Sequence, residues 1–145
     1  MKITATYTFD APRQAVWDLL QDTEAIAACL PGCEALDPID EHRYRATLTV
    51  GIAAVTGRYE GTVEMQDLDP PNSYRLVVEG RGKPGFIKGG GALTLTDQDG
   101  GTRVDVEGDA EVGGTIARMG QRLIGSVSKM MMDRFFSCLR SRLAT

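Results

Sequence analysis

The chain opens on an alternation: Ile3, Ala5, Tyr7 and Phe9 stand between Lys2, Thr4, Thr6 and Thr8, the period of two that marks a strand with one buried side. At Asp10 and Pro12 the pattern changes to helical spacing, carried by Val16, Trp17 and Leu20. Asp22 or Thr23 is placed to cap a second short helix through Ile26 and Leu30, which Pro31-Gly32 ends. From residue 43 the alternation returns and persists. Tyr44, Ala46, Leu48, Val50 and Ile52 oppose Arg43, Arg45, Thr47 and Thr49, and Tyr59, Val63 and Met65 oppose Arg58, Glu60, Thr62 and Glu64. The run "DPPNS" turns the chain into Tyr74, Leu76 and Val78; "KPGFIKGGG" precedes Leu93 and Leu95; "DQDGG" leads to Val104, Val106, Gly108, Ala110 and Val112. Connections this short predict neighbouring antiparallel strands.

The last segment reads as one helix from about Thr115, after the Gly113-Gly114 break. At about 100° per residue, Ile116, Met119, Gly120, Leu123, Val127, Met130 and Met131 share one side and Arg118, Arg122, Lys129 and Arg140 the other. A helix with one apolar side beside a sheet wet on one face packs on that sheet. The predicted fold is α+β: a curved antiparallel sheet wrapped around a long C-terminal helix, with two short helices after the first strand, in a single domain over residues 1–145.

Charge narrows the function classes. Sixteen basic against twenty acidic residues give a net charge of −4, which argues against binding nucleic acid through its phosphates. No stretch approaches the roughly 18 consecutive apolar residues of a membrane span. Three cysteines are an odd count and the N-terminus lacks an apolar signal core, so the expectation is a cytoplasmic protein with reduced thiols.

Candidate chemistry is sparse. In "AACLPGCEAL" Cys29 and Cys33 flank a Pro-Gly pair, but a structural zinc site wants four Cys or His ligands and the only histidine, His42, stands in the charged turn "IDEHRY". A redox pair usually has C-x-x-C spacing at a helix start, whereas these cysteines bracket a helix end. The turn reading is favoured, with no metal. General acid-base work needs ionisable groups converging on a cleft. Here Glu60, Glu64, Asp105, Glu107, Asp109 and Glu111 sit on the faces opposite the apolar ones. Tyr44, Tyr59 and Tyr74 point inward, either to hold a ligand's oxygen or as buried tyrosines bonded to backbone. Gly89, Gly90 and Gly91 lack the Gly-Lys-Ser/Thr of a phosphate loop and read as a bend in a strand. Gly120 and Gly125 cost helix stability, which close packing or a widened interior would explain.

In order along the chain, "FDAPRQAVWDLL", "CLPGCE", "DLDPPNSY", "GFIKGGGALTL", "VGGTIARMGQRLIG" and "RFFSCL" resemble the family of carbon monoxide dehydrogenase G subunits, within the START-like, or SRPBCC, helix-grip superfamily. The resemblance covers nearly the whole chain. It implies a hydrophobic cavity between sheet and helix, which the inward residues would line: Leu48, Val50, Tyr59 and Val63; Tyr74, Leu76 and Val78; Ile87, Leu93 and Val106; and, from the helix, Gly120, Leu123, Val127 and Met131. Leu30, Pro31 and Cys33 would form the lip of its mouth. The implied role is a non-catalytic accessory protein of a molybdenum-containing carbon monoxide dehydrogenase or related hydroxylase, acting in maturation or membrane recruitment. Walls this apolar suit a quinone or other lipid and need no cofactor. The alternative is a small-molecule enzyme of the aromatase/cyclase type, which would place polar residues in the same cavity.

Residues 115 to 145 carry six bases against one acid, a basic element on an acidic body. Counted from Ile116, Met132, Phe136 and Leu139 lie about 140° to 200° around the helix. Either the helix bends so that Phe135 and Phe136 still pack, or its end projects and presents Met132, Phe136 and Leu139 beside Arg140 and Arg142 for peripheral contact with an anionic membrane or a partner enzyme.

Overall fold

The computed structural model describes residues 1–52 and 55–143. Strand β1 (Lys2–Phe9) leads into helices α1 (Arg13–Gln21) and α2 (Thr23–Cys29), followed by β2 (Cys33–Asp40), β3 (Arg43–Val50), β4 (Gly57–Asp69), β5 (Ser73–Gly82), β6 (Gly85–Gln98) and β7 (Gly101–Gly113). A short 3₁₀ helix (Thr115–Met119) and helix α3 (Gln121–Leu143) complete the chain. The seven strands form one antiparallel sheet in the order β1-β7-β6-β5-β4-β3-β2. The expected architecture is therefore present.

Local chemistry accounts for the element ends. The Asp22 side chain accepts from the backbone N–H groups of Glu24 and Ala25, satisfying two of the free donors at the start of α2. Gly32 turns the chain out of α2 with φ 76°, and a Cβ there would sit inside the carbonyl oxygen of Thr49. Its own carbonyl accepts from Thr49 N–H at 2.8 Å, which ties the turn to β3. Asp99 and Gly100, with φ of 49° and 82°, make the two-residue hairpin between β6 and β7 that the "DG" pair signals. The segment "KPGFIKG" does more than lead into a strand, since from Gly85 onward it is part of β6.

The core gathers where α1, α2 and the second half of α3 meet the sheet. Val16, Trp17 and Leu20 of α1 pack with Leu93, Leu95 and Val104 of the sheet, and Tyr7, Phe9, Phe136 and Leu139 join them. Tyr7 and Phe136 stack with ring centroids 4.1 Å apart, and Phe9 meets Phe136 edge-on at 6.3 Å.

Two expectations fail here. The C-terminal helix does not begin at Thr115: Gly120, at φ 85° and ψ 155°, separates the 3₁₀ helix from α3. Phase counted from Ile116 is thus lost at Gly120. Counted from Ile124 at about 100° per residue, Phe135, Leu139, Met132 and Phe136 fall at about 20°, 60°, 80° and 120°, one continuous side. Phe136 and Leu139 are 3% and 0% exposed. The end of α3 packs instead of projecting, and neither residue is presented to a membrane. The cysteines are not all reduced thiols either. Cys29 and Cys138, 109 residues apart, form a disulfide that joins α2 to α3, and Cys33 is left free.

Candidate functional site

In an antiparallel sheet, paired residues put their side chains on the same face. The register aligns Tyr44, Val63, Val78, Gly89 and Ala110 in one row across β3 to β7, and Tyr74, Leu93, Val106 and Ala5 in another. Leu48 pairs with Tyr59, and Ile87 with Gly80 and Val112. The strand residues read as inward therefore do share the concave face, below α3. Tyr59, Tyr74 and Leu93 are buried there, while Leu48, Val50, Val63, Leu76, Val78, Ile87 and Val106 are half-buried. On α3, Val127 and Met131 are half-buried, but Leu123 is 54% exposed because the helix phase starts at Gly120; Ile124 takes the inward place assigned to it. Leu123 is thereby removed from the lining.

The half-buried state of so many concave-face residues has a structural cause. The tight contacts of α3 lie in its second half, through Phe136, Leu139 and the disulfide, whereas Ile124 is the sole buried residue among Gln121 to Phe135. A groove of about 590 Å³ opens between the strands and the start of α3, lined in part by Lys88, Ala110, Val112, Ala117, Gly120 and Ile124. Gly120 is the one residue of the expected lining found in that groove. Ala110 and Val112 belong to the alternation of β7, a signal already visible in the sequence, whereas Ile124 needed the break at Gly120.

Leu30, Pro31 and Cys33 sit together at the turn from α2 into β2, each half-buried, and Cys33 pairs with Leu48. Burial pushes the Cys33 thiol up, so it is held protonated and is no activated nucleophile. The glycine cluster in β6 reflects close strand approach. A Cβ at Gly89 or Gly91 would lie 3.0 Å from the Cα of Ala110 or of Gly108 on β7.

The three inward tyrosines differ in their partners. Tyr59 donates to the Val55 carbonyl at 2.7 Å, and Thr23 reaches the Tyr44 hydroxyl at 3.4 Å. Tyr74 lies edge-on to Trp17 at 5.3 Å, and burial alone pushes its hydroxyl well above the usual tyrosine range. A fourth, Tyr7, donates to Asp133 Oδ1 at 2.7 Å, and Lys129 Nζ stands 3.2 Å from both oxygens of the same carboxylate. That hydrogen bond, and then Lys129, hold the Asp133 carboxyl below its usual range, while burial and Asp133 push the Tyr7 hydroxyl up. This clamp fixes the middle of α3 to β1. At the helix end Arg140 donates to the Thr8 carbonyl at 3.0 Å and lies 5.7 Å over the Phe9 ring. Arg142 and Met132 remain on α3, exposed and half-buried respectively.

Among the described residues no group of three or more His, Cys, Asp or Glu side chains is placed to hold a metal ion, and no helix is long and apolar enough to cross a membrane. The family model of the carbon monoxide dehydrogenase G subunit, CoxG, matches residues 6–144. The chain belongs to that family. Membership in the CoxG family implies an accessory role beside carbon monoxide dehydrogenase, and its members are generally non-catalytic. A conserved protein from Geobacillus kaustophilus is 36% identical, with a TM-score of 0.96 over 99% of this chain and 95% of that one. Protein Ms6760 from Mycobacterium smegmatis is 19% identical, with a TM-score of 0.74 over 99% of this chain and 90% of that one. Ara h 8.0201, 11% identical with a TM-score of 0.70 over 100% and 99%, shares the Bet v1-like fold of this CoxG-family protein. No curated protein matches the chain.

Proposed function

We propose that this protein is a non-catalytic accessory protein of a molybdenum-containing carbon monoxide dehydrogenase or related hydroxylase, holding a hydrophobic, membrane-derived ligand such as a quinone or other lipid in the cleft under α3. The observation that carries the reading is the concave face. Its apolar residues are aligned in register yet half-buried, and the acids of the same strands point the other way. Apolar surface left partly open by a fold is surface that a ligand can bury, at roughly 25 cal/mol per Å². Native mass spectrometry of the purified protein with lipid extraction tests this directly, a retained lipid being expected. Val106→Asp and Val78→Asp should each abolish uptake, whereas Leu123→Glu, on the outer side of α3, should not. A folded Val106→Asp and Val78→Asp pair that still carries lipid would remove the cleft from the mechanism.

Peripheral contact with an anionic bilayer is part of the same proposal, on a different surface from the one sequence suggested. With Phe136 and Leu139 buried and Arg140 engaged by Thr8 and Phe9, the exposed Leu123 follows exposed Arg122 at the start of α3, and exposed Arg118 belongs to the 3₁₀ helix just before it. Apolar insertion next to basic residues suits such a surface. Arg118→Glu with Arg122→Glu should weaken sedimentation with vesicles containing phosphatidylglycerol, and unchanged sedimentation would detach the membrane from this reading.

A further inference from the structure

Helix α2 is seven residues long, and Ile26 is its one large apolar side chain. A helix this short does not hold in water by itself, and α2 brings little apolar surface to its docking: Ala25 and Cys29 are buried and Ile26 is half-buried. Thr23 Oγ1 lies 3.4 Å from the Tyr44 hydroxyl, and the turn that follows α2 is tied to β3 through the Gly32 carbonyl. The link from Cys29 to Cys138 therefore carries much of the attachment of α2. Helix α3 depends on it less. Asp133 accepts from Tyr7 at 2.7 Å, Phe136 stacks on Tyr7, and Arg140 donates to the Thr8 carbonyl at 3.0 Å, all of them holds on β1. Cutting the disulfide would thus leave α3 on the sheet and put α2 at risk.

The two sulfurs differ in access. Cys29 is 5% exposed, whereas Cys138 is half-buried and lines an open surface groove with Asp133, Arg134, Ser137 and Ser141. A thiolate arriving from solvent meets Cys138 first, and the exposed Arg134 in the same groove favours its negative charge. Cys33 is not the attacking group. Its half-buried thiol donates to the Ala35 carbonyl at 3.4 Å and is held protonated by burial.

We propose that the disulfide between Cys29 and Cys138 is a redox-operated latch on α2, opened by a dithiol reductant that attacks Cys138. A thiolate of the reductant bonds to Cys138 Sγ as the bond between Cys29 and Cys138 breaks, and Cys29 leaves as a thiolate that takes a proton from water. The reductant's second thiolate then attacks its own sulfur in the mixed disulfide and releases Cys138, which is protonated in turn. Two electrons pass to the protein, and the reductant departs as its internal disulfide. Helix α2 is then free to lift from the β3 side of the sheet, uncovering Tyr44, whatever the cleft holds.

Two measurements on the air-oxidised full chain test this. Brief treatment with glutathione, acid quenching and peptide mass spectrometry should find glutathione on Cys138 and not on Cys29. Dithiothreitol should reduce the bond in the folded protein, as alkylation confirms, and hydrogen exchange should then quicken at the Ile26 and Leu30 amides, which bond to the Asp22 and Ile26 carbonyls at 2.9 and 2.8 Å. The expected gain is about thirtyfold, the lower end of what a cross-link contributes, and it should not vary with urea below the unfolding transition, the mark of a local opening. Cys29→Ala with Cys138→Ala should show the same fast exchange without reductant, and Cys33→Ser should respond as wild type does. Absence of the bond in the oxidised protein, glutathione on Cys29, or reduction only on unfolding would each overturn the latch. So would unchanged α2 exchange after complete reduction, exchange that rises with urea in step with that of β6 and β7, or a Cys33→Ser variant that no longer responds.

Discussion

Leu139 has no exposed surface and closes the core between α3, the sheet and the short helices. Truncation to alanine would leave a void that neighbours from three elements cannot all fill, so Leu139→Ala should cost about 2–5 kcal/mol in a denaturant titration. A different dependence is expected at Asp133. Its folded carboxyl is held low by Tyr7 and then Lys129, so the stability it contributes is present above the ordinary carboxylate range and fades as pH falls through the lower folded value. Melting curves of wild type and Asp133→Asn should therefore be furthest apart near pH 7 and converge towards pH 3; a constant gap would mean that the carboxylate charge is irrelevant. Residues of this kind were partly legible. The inward side of Tyr7 and Tyr74 follows from alternation, but their partners do not: Asp133 lies 126 residues from Tyr7, and no local pattern links them.

At the scale of elements, the strands were readable because each alternates over several residues, and β2 was not, because Pro38 and three acids leave it without alternation. Helix α3 shows how one residue can spoil a correct period. Counting through Gly120 moved Leu123 inward and Phe136 outward, and both reverse once the helix is started at Gln121. Gly120 lies in backbone space that only glycine adopts freely, and a Cβ added there would meet nothing within 4 Å, so Gly120→Ala should destabilise by about 1–3 kcal/mol through conformation alone. Gly125 is equally uncrowded but inside the helix, and Gly125→Ala should stabilise by about 0.5–1 kcal/mol. Opposite signs in paired melts would separate the two roles. The Cys29 to Cys138 link joins elements far apart in sequence, and pairing cannot be deduced from three cysteine positions. Replacing both by alanine should lower stability by about 2–4 kcal/mol under oxidising conditions and by nothing beyond the thiol packing under reducing ones.

For the whole molecule, the order of strands and the grip on the helix followed from short connections and from one long amphipathic segment, while the depth of the cleft depended on which half of α3 docks, a matter of side-chain fit. The arrangement also places the partners of the core at the two ends of the chain. β1 finds its neighbour in β7, Tyr7 and Phe9 wait for Phe136, and Cys29 waits for Cys138. A ribosome makes these partners after the meander, so the first strand and both short helices emerge with nowhere to dock while the meander is still being made. Folding of this unit should thus wait for α3, at the slower rates of long-range topologies. Until α3 arrives, the apolar face that later serves the cleft is open along its whole length, and nascent chains stalled before residue 136 should be the ones that chaperones hold.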